Sequence, residues 1–107
     1  MSGNGGGVPT VDGPIDGENC TNLIINTNIS SPQALAIRNL TKGIILDVQA
    51  IGDQGPINFY NENGDLVGSV ISRVMIRLLS CIVKGFEYEA EVLSITDGEV
   101  EVQIRSK

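Results

Sequence analysis

The sequence predicts a small α+β fold: a strand-rich, barrel-like domain with two short helices in the order β-α-β-β-β-α-β-β. Three observations predict it. Apolar residues alternate over Phe86, Tyr88, Ala90 and Val92 and again over Val100, Val102 and Ile104, the pattern of two half-buried strands. Asn63-Gly64 and Asp97-Gly98 are dipeptides that accept the positive φ of tight turns, so each marks a hairpin. Between the hairpins Val74, Met75, Leu78, Leu79 and Ile82 recur at the spacing of one helical face.

Residues 1–19 come first and differ in kind. They hold six of the thirteen glycines, two of the four prolines, three acids and no Lys or Arg. So little apolar surface cannot offset the entropy of ordering a chain, which predicts a flexible tail. Gly5-Gly6-Gly7 there lacks the preceding strand, following helix and lysine of a phosphate loop, so it reads as linker. The tail also has neither the basic start nor the apolar run of a secretory signal, and no stretch of the chain is long enough to span a membrane. Residues 20–107 then form one domain with one core.

Leu23 to Ile29 reads as a strand. Ser31 to Leu40 reads as a short helix with Pro32 in its first turn; Ser30 is an equal candidate for the cap, because Gln33 would complete a capping box with it. Ile44 to Ile51 is a strand after Gly43, and Asp53 to Gly55 turns into the strand that starts near Pro56. A type I′ turn at Asn63-Gly64 places Ile57 opposite Val70, Phe59 opposite Gly68 and Tyr60 opposite Val67, with Gly68 leaving room for a ring. Ser72 caps the second helix and Gly85 ends it, since glycine enters the left-handed conformation without steric cost.

The last hairpin is constrained by its own alternation. A two-residue Asp97-Gly98 loop would set Val92 opposite Gln103 and mix the faces, so a three-residue Thr96-Asp97-Gly98 loop is expected. Val92 then faces Val102, Ala90 faces Ile104 and Glu89 faces Arg105. The outer face carries Glu87, Glu89, Glu91, Glu99 and Glu101 and is acidic.

Composition removes much chemistry. There is no histidine, hence no imidazole base, no Ser-His or Cys-His pair and no histidine metal ligand. The outward glutamates lie on a regular strand and match no calcium-loop pattern, so they read as a solvated face. No catalytic residue, cofactor or metal is expected. Cys20 and Cys81 are too few and too far apart to predict a disulfide framework; Cys81 reads as a small buried core residue, and a reducing, cytoplasmic location is expected.

Net charge is −6, three units of it from residues 1–19, which disfavours wholesale binding to nucleic acid. The one basic stripe is Arg73, Arg77 and Lys84 on the second helix, and Phe59, Tyr60, Phe86 and Tyr88 are the only rings able to stack on a base. The stripe also reads as the solvated side of an amphipathic helix, with at least three of the rings in the core.

The run from Pro56 to Gly68 (Pro-Ile-Asn-Phe-Tyr-Asn-Glu-Asn-Gly-Asp-Leu-Val-Gly) is followed by Ser72-Arg73, an apolar helix, Lys84-Gly85 and the strand Tyr88-Glu89-Ala90-Glu91-Val92. This segment, within Ala50 to Ile95, resembles the HIRAN domain family. Where that family carries an Asn-Pro-x-Asp-type loop, this chain has Gly52-Asp53-Gln54-Gly55-Pro56. The resemblance implies a compact β-barrel module that grips a single-stranded DNA end; the residues this chain offers for such contacts are Arg73, Arg77, Lys84 and Tyr60. The reading that the residues favour is a non-enzymatic adaptor that docks on a larger protein or self-associates. Single-stranded nucleic acid is the alternative partner. A third reading is an enzyme built on carboxylates alone, which needs a concave site uniting two of Asp47, Asp53, Glu62 and Asp65.

Overall fold

The structure, a computed structural model, describes residues 20–52, 55–70 and 74–107. The predicted tail, the Asp53-Gln54 part of the turn, the Ser72 cap and Arg73 lie outside the described residues. The element order is as predicted: β1 (Ile24–Asn28), α1 (Ala34–Ile37), β2 (Ile45–Ala50), β3 (Ile57–Tyr60), β4 (Leu66–Val70), α2 (Val74–Val83), β5 (Tyr88–Thr96) and β6 (Glu99–Ser106).

The six strands form one antiparallel sheet in the order β1-β6-β5-β2-β3-β4. It curls into a half-barrel whose two edge strands meet at a single bridge. Just beyond β1, the Ser30 N–H donates to the Ser69 carbonyl of β4 (2.6 Å) and the Ser69 N–H donates back to Ser30 (2.9 Å). The Gln33 N–H then donates to the Val67 carbonyl (2.8 Å), so residues 30–33 cover the β4 edge. A Cβ on Gly68 would collide with the Ile29 side chain and come within 2.9 Å of the Ser30 carbonyl oxygen. Glycine is needed at this crossing because another backbone passes where a side chain would stand. The space that the sequence assigns to a ring is therefore taken by residues 29–32.

Both hairpins keep the predicted core pairs and reach them by different turns. In β5–β6, Val92 faces Val102, Ala90 faces Ile104 and Glu89 faces Arg105. The loop has two residues, not three: Thr96 pairs with Glu99, and Asp97 (φ 52°) and Gly98 (φ 84°) both take the positive φ of a type I′ turn. The register that this turn would upset is restored by a bulge at Leu93, which pairs with nothing on β6. In β3–β4 the Asn63-Gly64 signal yields a five-residue loop. The Gly64 N–H donates to the Asn61 carbonyl, and Gly64 (φ 83°) is left-handed while Asn63 is not, which is a type I turn with a glycine bulge in place of type I′. A second bulge, at Val67, sets Tyr60 opposite Leu66; Ile57–Val70 and Phe59–Gly68 form as predicted.

The first helix is shorter than predicted. Ser30 is committed to the bridge and Ser31 turns the chain with φ 50°, so neither caps it; Gln33 is the N-cap and one turn follows. The second helix ends as predicted. Gly85 has φ 103°, and the Lys84 and Gly85 N–H groups donate to the Cys81 and Ile82 carbonyls.

The core fills the curl. Leu46, Ile57, Phe59, Tyr88, Ala90, Val92, Val100, Val102 and Ile104 are buried from the sheet, and Leu78 and Cys81 close it from α2, which packs beside β2. No polar or charged residue is buried among those described. The reading of Cys81 as an unbonded core thiol is corrected: Cys20 and Cys81 form a disulfide, with Cα atoms 5.6 Å apart and both residues fully buried. Their distance in sequence hid the pairing, because only the folded sheet brings α2 onto the start of the domain. The Tyr88 hydroxyl donates to the Cys20 carbonyl (2.6 Å), and burial pushes the phenol above its ordinary range.

Candidate functional site

A concavity lies where the short helix leaves an opening. The single turn of α1 packs on β4, and the start of β2 and the β3–β4 loop stand around it. Together they enclose a cleft of about 850 Å³. Ala36 and Leu40, both buried, and half-buried Ile44 belong to its apolar lining, which continues into side chains that are largely in solvent: Leu35 is 74% exposed, Ile45 43% and Leu66 39%. Three large aliphatic groups exposed around one concavity cost solvation free energy that a partner would recover.

Polar groups line the same cleft and are held in place. The Asn61 side-chain oxygen accepts from the backbone N–H groups of Asn63 and Asp65 (both 2.9 Å), which clamps the loop that carries Glu62 and Asp65. Arg38 stands among the lining residues contributed by the α1 side. The cleft is thus aliphatic, with an acidic loop on one side and a single cation on the other.

Two of the four carboxylates named for a carboxylate-only enzyme, Glu62 and Asp65, share this cleft. Both are exposed at the loop. Asp47 is elsewhere, on the outer face of β2, where it accepts from the Gln49 amide (2.6 Å) and the Lys107 ammonium (3.0 Å). These two donors, the Gln49 bond first, hold its carboxyl below the usual 3.8. Asp53 lies outside the described residues.

Of the predicted nucleic-acid contacts, two belong to α2 and its end and one to β3. Arg77 is exposed on α2 and Lys84 is exposed just after it; Arg73 lies outside the described residues. Tyr60 is half-buried on β3, with its hydroxyl accepting from Asn58 Nδ2 (3.1 Å). Of the other rings, Phe59 and Tyr88 are buried and Phe86 packs against the core.

The outer glutamate row is less acidic than the sequence implies. Arg105 Nε meets Glu89 at 3.2 Å and its Nη1 meets Glu91 at 2.6 Å, so one guanidinium bridges two carboxylates. Among the described residues no three candidate ligands come together as a metal site.

Comparison with protein-family models, with curated proteins and with solved structures finds no match to this chain. Glu62 and Asp65 apart, the cleft residues were not singled out as a site from the sequence. Leu35 reads there as part of a longer helix and Leu66 as one position of a hairpin, and neither carries a signal for its shared exposure.

Proposed function

We propose that this chain is a non-catalytic binding module that docks on a protein partner through the α1/β3–β4 cleft. The observation that carries this reading is the exposure of Leu35, Ile45 and Leu66 around one cleft in a domain whose other large aliphatic groups mostly build a core. The partner that fits is a segment presenting aliphatic side chains with a basic group beside them, the aliphatics against these walls and the cation toward Glu62 and Asp65. Two exposed carboxylates on a turn, one of them 3.4 Å from the Asn61 amide, provide charge for recognition.

Selection from a random peptide library tests this. Aliphatic segments with an adjacent Lys or Arg are expected to be enriched, and Leu35→Asp with Leu66→Asp to abolish their capture while Arg77→Glu leaves it intact. If the enriched sequences bind the doubly substituted protein equally well, the cleft is not the site.

The alternative, a HIRAN-like binder of single-stranded DNA ends, draws on the exposure of Arg77 and Lys84 along α2. It predicts affinity that falls steeply with salt and disappears on charge reversal at those residues. On compartment, thiols in the cytosol are kept reduced, so we read the Cys20–Cys81 bond as favouring an oxidising environment over the cytoplasmic location expected from cysteine count. Alkylation of the protein directly from its native source, before and after reduction, would decide between them.

A further inference from the structure

We infer that the chain pairs with a second copy of itself through the open edge of β1, extending the sheet across a two-fold axis centred on Asn26. This inference is independent of the cleft. Along β1 the backbone groups alternate in direction. The Ile29 N–H donates inward to Val100 of β6 (2.9 Å), and the register that continues from it, Thr27 with Val102 and Ile25 with Ile104, commits those residues to β6. Ile24, Asn26 and Asn28 therefore point their N–H and C=O groups away from β6. At Ser30 the same outward direction is used to bridge Ser69. Before Ser30 it meets no other strand among the described residues: β1 is the end of the sheet order, and the Asn28 carbonyl has only a marginal 3.5 Å contact from the Thr27 hydroxyl.

Sheet edges in monomeric proteins are commonly guarded by lysine, proline or a bulge. The other edge here is covered by residues 30–33, whereas Ile24–Asn28 has no charge, no proline and no bulge, and Ile24 is 64% exposed. A second copy suits it better than an arbitrary strand because the edge complements itself. An antiparallel two-fold at Asn26 sets Asn26 against Asn26 and Ile24 against Asn28 in both directions, and every outward N–H and C=O of the three residues finds a partner.

The outer faces agree. Ile24 lies beside Arg105 and Asn28 beside Glu101 on β6. In the paired sheet each Ile24–Asn28 row would run from Arg105 of one copy to Glu101 of the other, about 14 Å apart at the usual strand spacing. The central row would hold Gln103 and Asn26 from each copy. No row sets like charges against each other, which matters for a chain of net charge −6.

Light-scattering mass across a concentration series, with residue-resolved amide exchange, tests the inference. The mass is expected to double as concentration rises, with the Ile24, Asn26 and Asn28 amides slowing in step. Asn26→Pro deletes an outward N–H that makes no bond to β6 and should hold the mass at that of the monomer; Asn26→Lys, which sets two charges against each other at the axis, should do the same without the proline's constraint on the backbone. A doubled mass that survives both substitutions places the contact on another face and overturns the inference. So does a monomer at every concentration, whether the three amides exchange fast or are already protected by another part of the same chain.

Discussion

The two ends of β1 border the same β-sheet and meet opposite fates. At its C-terminal end the chain passes over β4 so closely that only glycine fits beneath, and Ser30 and Ser69 exchange both backbone hydrogen bonds. Along Ile24–Asn28, a few residues earlier, the outward backbone pairs with no strand among the described residues. The disulfide ties the segment just before Ile24 to α2, and among the described residues no strand borders the open edge of Ile24–Asn28. Stability is concentrated where the chain seals itself, and recognition is left to what the seal does not reach: the β1 edge, and the cleft beside a helix too short to cover it.

The strongest way to break that contrast is to remove the covalent tie. Closing a loop across a sequence separation of 61 is worth about 4 kcal/mol in chain-entropy terms. The Cys20→Ala/Cys81→Ala protein should lose roughly that amount, and reduction of the parent should match it in urea unfolding. An unchanged midpoint on reduction would mean that noncovalent packing alone holds α2 against the core.

Gly68→Ala attacks the seam itself. The added methyl meets the Ile29 side chain and, at 2.9 Å, the Ser30 carbonyl oxygen. Overpacking against backbone should cost about 3 kcal/mol. Trimming Ile29 to Ala in the same protein should recover only part of it, because the Ser30 carbonyl oxygen still blocks the site with a main-chain atom. Full rescue would show that the seam is a side-chain contact after all. By contrast Leu35→Asp, on the open side, should leave the unfolding midpoint nearly unchanged, since that side chain is 74% exposed.

How much of this was legible follows the same division. The element order, the end of α2 at Gly85 and the core pairs of both hairpins are local or nearly so, and alternation plus turn chemistry predicts them. The bulges at Leu93 and Val67 were not legible. Alternation requires only that the faces match; it leaves open whether the extra residue sits in the loop or in the strand. The Ser30 bridge, the Cys20–Cys81 bond and the cleft come from segments far apart in sequence, and no spacing rule relates Leu35 to Leu66. Ser30 illustrates the conflict: its sequence context allows a helix cap, and the tertiary seam takes its backbone for a strand bridge.

The turns sharpen the comparison at smaller magnitude. Gly98→Ala forces an L residue to φ 84° and should cost about 1–2 kcal/mol. Asn61→Ala removes the oxygen that accepts from Asn63 and Asp65 and should cost about 1 kcal/mol. The second change should also weaken capture of cleft-binding peptides, because it loosens the loop that carries Glu62 and Asp65, while the first should leave capture alone. Equal effects on capture would separate the β3–β4 loop from recognition.

The smallest expected effect lies on the outer face of β2, where Asp47 joins the end of β6 through Lys107. Its carboxyl is held below 3.8, chiefly by the Gln49 amide and then by Lys107. A depressed folded value means that the unfolded chain takes up the proton first. The contribution is complete above about pH 4 and is lost as pH falls through the folded value. Both partners are partly in solvent, and such pairs are worth only about 0.2–1 kcal/mol. Urea midpoints of the parent and of Asp47→Asn should therefore differ modestly at neutral pH and converge in acid. Because the amide bond is the larger cause, Gln49→Ala should remove more of that difference than Lys107→Met. The reverse order would make the strand-end charge, not the neighbouring side chain on the same strand, the group that holds Asp47 ionised.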